Sequence, residues 1–203
     1  RFFSILILAL LLTSKSFAAD FFWIGGPGNW SDTSHWSTTS GGISDQLSAP
    51  SDTDDVFIDF NSGLIRFDTI RLDQYDQYCH NFTLANLPFT IVFYIGTSNT
   101  YASLHTTGDV YIPSPTIWYS PNVEVGFWFS PVDTVFSIYA PNSDLAFGNI
   151  SGPAVMQFDS RINILSDFYI ETGDVLINTN NYDFSCHSLI NSGAGNHLAA
   201  LGT

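Results

Sequence analysis

Two cysteine–histidine doublets are the residues of this chain best suited to metal chemistry. Cys79-His80 and Cys186-His187 contain the only two cysteines, and thiolate and imidazole are ligands that zinc prefers in proteins. In an oxidising compartment the same two cysteines could instead form a disulfide. A shared zinc site or a disulfide would require the doublets to lie close together, so both depend on the elements that carry them.

The acidic residues offer two further kinds of chemistry. Asp54-Asp55 is the only pair of adjacent aspartates, and paired carboxylates can act as acid and base in hydrolysis. Two loops also carry hard oxygen ligands that suit calcium. They are Asp52, Asp54, Asp55 and Asn61 in the first loop, and Asp73 and Asp76 in the second. Neither loop has the Asp-x-Asp-x-Asp-Gly pattern with a closing glutamate, so we interpret these carboxylates as solvated turn residues and keep calcium as an alternative.

Recurring motifs indicate how these residues are carried. A tetrapeptide of the form Asp-Val-x-Ile occupies residues 55–58, 109–112 and 174–177, and a Thr-Gly pair precedes the last two copies. The interval between those two copies, and the interval between the Cys-His doublets, are both close to whole multiples of about 21 to 22 residues, the length of one coil in a β-solenoid. We therefore predict that Val110 and Val175 hold equivalent positions three coils apart, and that Cys79 and Cys186 do so five coils apart.

Short β-branched and aromatic runs, such as Val56–Phe60, Leu64–Ile70 and Thr90–Ile95, alternate with Gly, Pro, Asn and Ser turns. This pattern is typical of an all-β chain. The repeats favour a right-handed parallel β-helix over a β-sandwich or jelly roll, because sandwiches need no repeat of one coil length. Asparagine tolerates left-handed backbone, so the following residues are expected at corners: Asn178, Asn180, Asn181 and Asn191.

The solenoid geometry decides the chemistry of the cysteines. Five coils of about 4.8 Å separate equivalent positions by roughly 24 Å, whereas a disulfide tolerates Cα atoms at most about 7 Å apart. The sequence therefore predicts two free, inward-facing thiols. The neighbouring His80 and His187 are expected to point outward, and no metal site is predicted.

Residues 1–18 have the features of a secretory signal peptide. An apolar run from Ile5 to Leu12 is followed by polar residues and then by small residues before a cleavage point at Ala19. The run is far shorter than the roughly 20 residues that span a bilayer. Without this leader the chain has three arginines and no lysine against 19 carboxylates, a formal charge of −16. Such a charge argues against binding to nucleic acid. We expect a secreted or cell-surface protein with no membrane span.

Tryptophans concentrate in residues 19–50, ahead of the predicted coils at 51–203. The first coil of a solenoid exposes apolar surface and unpaired strand edges, which invite aggregation unless they are covered. Trp23, Trp30 and Trp36 are predicted to form this N-terminal cap. The alternative is a platform on which sugar rings stack.

A second aromatic concentration lies within the coils. It consists of Trp118, Phe127, Trp128 and Phe129. Three consecutive aromatic residues cannot all point inward along a strand, so at least one must face solvent. We predict this region as the contact surface for an extracellular glycan or a cell-surface partner.

The tryptophan segment also suggests a family. Residues 23–32 read WIGGPGNWSD, residues 35–37 read HWS and residues 50–58 read PSDTDDVFI. This succession resembles the N-terminal segment of large secreted surface proteins of the Bacteroidota type. The resemblance implies a bacterial, adhesin-like protein with a parallel β-helix near its front.

Three functions are compatible with these patterns. The first is a non-catalytic structural or adhesive segment of a secreted protein, in which the coils act as a stiff spacer or binding scaffold. The second is a carbohydrate-binding module, and the third is part of a polysaccharide lyase or hydrolase. The first is preferred, because the chain has neither the Gly-His-Gly nor the Arg-x-Lys element of β-helical hydrolases and has no lysine after the leader.

Overall fold

The computed structural model describes residues 18–96, 102–119, 127–130, 135–141, 144–145, 148–151, 153–164, 167–172, 174–191 and 197–200. The predicted signal peptide therefore lies outside the described residues, except for Ala18. Across the described ranges the regular structure is β-strand, with one short 3-10 turn at Thr33–His35. In that part of the chain no helix has the length and apolarity to cross a membrane.

Twenty-two strands follow one another along the chain. They are β1 (Asp20–Trp23), β2 (Gly28–Asn29), β3 (Trp36–Ser37), β4 (Asp55–Ile58), β5 (Thr69–Leu72), β6 (Asp76–Cys79), β7 (Phe82–Leu84), β8 (Ile91–Ile95), β9 (Ser103–Thr106), β10 (Val110–Tyr111), β11 (Thr116–Tyr119), β12 (Phe127–Phe129), β13 (Val135–Tyr139), β14 (Asp144–Leu145), β15 (Gly148–Ser151), β16 (Ala154–Phe158), β17 (Ile162–Ile164), β18 (Phe168–Thr172), β19 (Val175–Asn178), β20 (Phe184–Ser185), β21 (Leu189–Asn191) and β22 (His197–Ala200).

The strands form four sheets that wind around one axis. Sheet A has the order β22-β19-β16-β13-β10-β7-β4-β1-β3, sheet B β11-β8-β5-β2, sheet C β21-β18-β15-β12-β9-β6, and sheet D β14-β17-β20. From β4 onward, each turn of the chain visits sheet A, then sheet B or D, then sheet C. Strand β14 lies against β11, so sheet D continues the face of sheet B. Every described pairing is parallel except β1 with β3. The predicted parallel β-helix is confirmed, and the sandwich alternative is wrong.

Strand alternation places one set of side chains in the interior of each coil. In sheet A, Val56, Phe82, Val110, Ile138 and Phe158 occupy one inward column. Each of these side chains is at most 1% exposed. Stacking of like residues from coil to coil therefore builds a single continuous apolar core.

The coils differ in length, which the uniform repeat did not predict. The steps from Val56 to Phe82, from Phe82 to Val110 and from Val110 to Ile138 are all longer than the expected coil of about 21 to 22 residues. The later steps, such as Ala154 to Val175, keep close to the expected length. The longer coils carry longer corners, such as residues 59–68, where a strand was predicted at Leu64–Ile70 but begins only at Thr69.

This variation corrects both predicted equivalences. Val110 and Val175 are three strands apart in sheet A, as predicted. They do not share a column, however, because the column of Val110 passes through Phe158, at the end of β16, while Val175 pairs with Ala154 at its start.

The cysteine doublets show the same pattern. The column of Cys79 runs across sheet C and reaches Asn191 five strands later. Cys186 precedes Asn191 in the chain and lies before β21 begins. The coil count was right, and the register within the coil was wrong.

A ladder of side-chain oxygens from aspartate and asparagine explains the recurring aspartate before Val56 and Val110. Asp55 Oδ1 accepts the backbone N–H of Asn81 at 3.1 Å, and Asn81 Oδ1 accepts that of Asp109 at 2.7 Å. Asp109 Oδ1 accepts the N–H of Ser137 at 2.7 Å. Each coil thus holds the next at the entrance to sheet A. Gly108 is required beside this ladder, because a Cβ there would lie 2.3 Å from Asn81 Oδ1.

Two of the four predicted corner asparagines occupy corners. Asn180 and Asn181 have φ angles of 49° and 65°, in the left-handed region that asparagine tolerates. Asn180 Nδ2 also donates to the carbonyl oxygen of Phe158 in the preceding coil, at 3.1 Å. Asn178 and Asn191 instead end strands β19 and β21.

The three N-terminal tryptophans form a buried cluster, which confirms the predicted cap. Trp23, Trp30 and Trp36 are all 0% exposed. The Trp36 ring meets Trp23 edge-on at a centroid distance of 5.0 Å and Trp30 at 4.9 Å. Trp30 also stacks on Phe82 of the coil below, at 6.4 Å. The cluster is therefore continuous with the solenoid core.

The cap segment also covers the end of sheet A and provides its first parallel strand. β1 pairs in parallel with β4, and β3 pairs antiparallel with β1 as the last strand of sheet A. At the first corner, Gly26 and Gly63 have positive φ angles, and the Gly26 N–H donates to the carbonyl oxygen of Ser62 at 2.9 Å. A Cβ on Gly63 would lie 3.0 Å from the Gly26 nitrogen. Cap and first coil are thus in backbone contact.

Replacing Trp30 tests the cap. Trp30→Ala should lower the free energy of unfolding by about 3 to 5 kcal/mol, because it leaves a large cavity in a fully buried site. Trp30→Phe is the matched control: it keeps an aromatic ring and removes an indole N–H that is buried without a partner among the described residues. It should therefore cost much less than Trp30→Ala. Denaturant unfolding measures both, and a loss below about 1 kcal/mol for Trp30→Ala would contradict a cap role.

Candidate functional site

Three of the four aromatic residues predicted as a contact surface belong to the core. Trp118 is 6% exposed, and Phe127 and Phe129 are 1% exposed. The indole Nε1 of Trp118 donates to Thr116 Oγ1 at 2.9 Å, so its polar edge is also satisfied inside the coil. Only Trp128 points outward, and it is half-buried. The prediction of a contact surface is therefore wrong for Trp118, Phe127 and Phe129.

Trp128 instead belongs to an outward ladder on sheet C. Tyr78 pairs with His105, and His105 pairs with Trp128 in consecutive strands β6, β9 and β12. The His105 ring is 4.9 Å from Tyr78 and 5.1 Å from Trp128 between centroids. The same column continues to Tyr169 through Asn149. This ladder is the largest outward aromatic feature that includes a predicted site residue.

Polar groups fix the histidine in this ladder. Asp76 Oδ1 lies 2.8 Å from His105 Nε2 and accepts the hydroxyl of Ser103 at 3.1 Å. Ser103 Oγ is also 2.9 Å from His105 Nε2. Partial burial and the carboxylates of Asp76 and Asp52 raise the pKa of Tyr78 above its usual value. Sequence reasoning missed this cluster, because its members come from different coils and meet only through coil register.

The cluster contains a serine, a histidine and an aspartate, but its geometry differs from that of a catalytic triad. In a triad the acid contacts one ring nitrogen and the nucleophilic hydroxyl contacts the other. Here both Asp76 and Ser103 contact His105 Nε2. The serine hydroxyl donates to the Asp76 carboxylate, so the acid, the hydroxyl and one ring nitrogen meet at a single point and do not form the linear relay of a triad. This arrangement holds the ladder in place.

The ladder is also a poor platform for sugar rings. A sugar stacks on an exposed aromatic face, whereas the rings of His105 and Trp128 lie face to face with an angle of 18° between their planes. In such a stack the faces cover each other and the ring edges meet solvent. The ring stack therefore stabilises the contact between successive coils and offers little aromatic surface to a ligand.

The cysteines are both free thiols, as predicted. Cys79 is buried in the core, and burial raises its pKa well above the usual value, with a smaller contribution from Asp55. Cys186 is partly buried and packs against the core, and burial raises its pKa as well.

The adjacent histidines point away from the thiols and bind aspartates of the preceding coil. His80 Nδ1 lies 2.9 Å from Asp55, and His187 Nδ1 lies 2.9 Å from Asp167. The contact with His187 is the main cause of a lowered pKa for Asp167. These pairs add polar links between successive coils. The two Cys-His doublets themselves lie five coils apart.

Three of the carboxylates considered for acid–base work or for calcium accept backbone N–H groups. Asp54 accepts hydrogen bonds from the amides of Ala19 and Ser51, and its neighbour Asp55 belongs to the ladder of side-chain oxygens. Asp73 accepts the amide and hydroxyl of Ser31 and so ties the cap to the coils. Over the described ranges, no group of three or more His, Cys, Asp or Glu side chains is arranged to hold a metal ion.

No family model, curated protein or solved structure matches this chain.

Thiol chemistry tests the placement of the cysteines. Denatured protein without reductant should give two thiols per chain with Ellman's reagent, and native protein should react mainly at Cys186, because Cys79 is buried and resists forming the thiolate. Cys186→Ser should abolish the native reaction and leave one thiol after denaturation. The absence of thiols in the denatured, unreduced protein would show a disulfide and contradict the coil arrangement.

Proposed function

We propose that this chain is a non-catalytic structural or adhesive segment of a secreted or cell-surface protein, acting as a stiff β-solenoid spacer or binding scaffold. One observation carries the proposal. A single apolar core runs from Trp23 in the cap to Ile177 in β19, and parallel strands join successive coils on three faces.

Stiffness follows from the way each coil is fixed to the next. Backbone hydrogen bonds of the parallel sheets, the Asp55–Asn81–Asp109 ladder and the outward ring stacks all cross between coils. Bending the rod would break several of these contacts at once. A solenoid joined in this way keeps its two ends at a fixed separation, which is what a spacer requires.

The charge suits an exposed location. With a formal charge of −16 after the leader is removed, copies of the rod repel one another, and this repulsion opposes lateral association. The predicted signal peptide and the resemblance to secreted bacterial surface proteins support the same location. The two free thiols fit a fold that is stabilised by its core without a disulfide.

The alternatives have less support. A lyase or hydrolase needs carboxylates that converge on one cleft, whereas the aspartates discussed above cap turns or join coils. A carbohydrate-binding module built on Trp118 and Trp128 would need Trp118 at the surface, and that residue is buried.

Small-angle scattering in low and high salt tests the spacer role. The radius of gyration of the mature chain, beginning at Ala19, should not change between about 0.01 M and about 1 M salt, while the Debye length falls from about 30 Å to about 3 Å. A flexible acidic chain extends by self-repulsion and contracts when salt screens it. Marked contraction of the folded protein would contradict a stiff solenoid, and the urea-unfolded chain is the control that should contract.

A further inference from the structure

Asp54 is a buried aspartate in the loop before β4. It is 8% exposed, and burying a charge costs free energy unless hydrogen bonds or an opposite charge offset that cost. Asp54 Oδ2 accepts the N–H and the hydroxyl of Ser51, at 2.9 and 2.6 Å. The close ion pairs in the described part of the chain all join a histidine to an aspartate, and none of them includes Asp54. Hydrogen bonds therefore stabilise this carboxylate there without a counter-ion.

The other oxygen of Asp54 faces the backbone nitrogen of Ala19. Asp54 Oδ1 accepts the Ala19 N–H at 3.1 Å. Ala19 is the residue that follows the predicted cleavage point, and Ala18 before it is exposed. The bond predicted to be cut thus joins an exposed residue to a nitrogen that contacts a buried carboxylate.

Contacts on the C-terminal side of this nitrogen hold Ala19 in place. The Asp55 N–H donates to the Ala19 carbonyl oxygen at 2.9 Å, and the Ala19 side chain packs against the core. Strand β1 begins at the next residue, where Asp20 pairs with Asp55 of β4. These contacts belong to Ala19 and to residues after it, so removal of the leader leaves the nitrogen beside Asp54.

Removal of the leader changes the charge of that nitrogen. Hydrolysis breaks the bond between the Ala18 carbonyl carbon and the Ala19 nitrogen. Water supplies the hydroxyl group of the new Ala18 carboxyl and the hydrogen of the new amine. At neutral pH the amine takes up a further proton and the carboxyl releases one. A neutral amide thereby becomes an ammonium group beside a carboxylate, and opposite charges attract most where burial excludes water.

The neighbouring charges favour the ammonium group as well. Asp20 and Asp55 lie across from each other at the start of β1 and β4, and both have the same sign as Asp54. Asp55 has a partner in the His80 ring, whose Nδ1 lies 2.9 Å away. Nearby carboxylates favour the charged form of an amine, and Asp54 is the one in contact with the nitrogen.

We propose that Asp54 is the binding site for the mature N-terminus: after the leader is removed, the α-ammonium group of Ala19 forms an ion pair with the Asp54 carboxylate. The pair fastens the start of β1, the first parallel strand of sheet A, to the loop before β4. The cap is completed only in the processed chain, so its stability depends on export. This inference rests on the secreted location in the proposed function, because that location requires the leader to be removed.

Amine labelling of the chain that begins at Ala19 tests the ion pair. That chain contains no lysine, so its α-amino group is its only primary amine. An N-hydroxysuccinimide ester reacts with the neutral amine, whereas a carboxylate partner favours the charged form. Native protein should therefore react about tenfold more slowly, or less, than the same protein unfolded in urea at the same pH. Equal rates would overturn the proposal.

Two aspartate variants with the same change in charge separate the ion pair from the general field of the protein. Asp54→Asn keeps the shape of the side chain and removes its charge, and it should restore most of the unfolded labelling rate. Asp52→Asn is the matched control, because it removes an exposed carboxylate of the same loop. Its amine should stay protected. Equal loss of protection in the two variants would contradict a specific pair.

Acetylation of the Ala19 nitrogen gives a second measurement that leaves Asp54 intact. The acetylated chain has a neutral amide at this position, as the precursor has, and should melt about 2 to 4 °C below the chain with a free amine. In the Asp54→Asn background, acetylation should leave the melting temperature unchanged, because no ion pair remains to be lost. An equal decrease in both backgrounds would show that the acetyl group itself destabilises the cap, and would overturn the proposal.

N-terminal sequencing distinguishes this site from the proposed location. The full chain, expressed with its leader in a bacterium, should be secreted as a product that begins at Ala19. Correct processing with an unprotected amine would overturn the ion pair and leave the secreted location intact. A product that keeps its leader would overturn the secreted location and the processing step together, whatever the labelling of a chain made to begin at Ala19.

Discussion

The parallel register between successive coils is the constraint on which the rest of this structure depends. Because Val56, Phe82, Val110 and Ile138 pair in turn, every inward side chain lies above a partner, and the core is a set of stacked columns. The same register aligns Asp55, Asn81 and Asp109 so that each side-chain oxygen meets the next amide. A shift of the strand register by one residue would turn the core side chains outward and would at the same time break this ladder.

The surface follows from the same register. Outward rings stack on each other on three faces, with Tyr111 on Tyr139 in sheet A, Tyr94 beside Tyr119 in sheet B and His105 on Trp128 in sheet C. Such stacks stabilise the rod and conceal most ring faces. In sheet B, the Arg71 guanidinium also lies over the Tyr94 ring, 4.5 Å from its centroid.

The sequence predicted the parallel β-helix, the number of coils between repeats, the tryptophan cap and the free thiols. Each of these depends on residue type or on long spacing. It did not predict register, because long corners such as residues 59–68 change the coil length without changing the strand pattern. It also misplaced Trp118: strand β11 reads Thr-Ile-Trp-Tyr, and with an apolar residue at each of its last three positions the sequence does not show which side faces inward. Tyr78, His105 and Trp128 lie on three successive coils whose lengths differ, so only the register brings them together.

A distance between two spin labels measures the central claim, the regular stacking of coils, most directly. Tyr78 and Ile190 lie in one outward column of sheet C, five strands apart. Labels at Tyr78→Cys and Ile190→Cys, in a chain with Cys79→Ala and Cys186→Ser, should give one narrow distribution near 24 Å, as five coils of about 4.8 Å require. The single-label variants are the controls for folding and for intermolecular signal. A broad distribution, or one centred more than about 5 Å from this value, would contradict the stacked register.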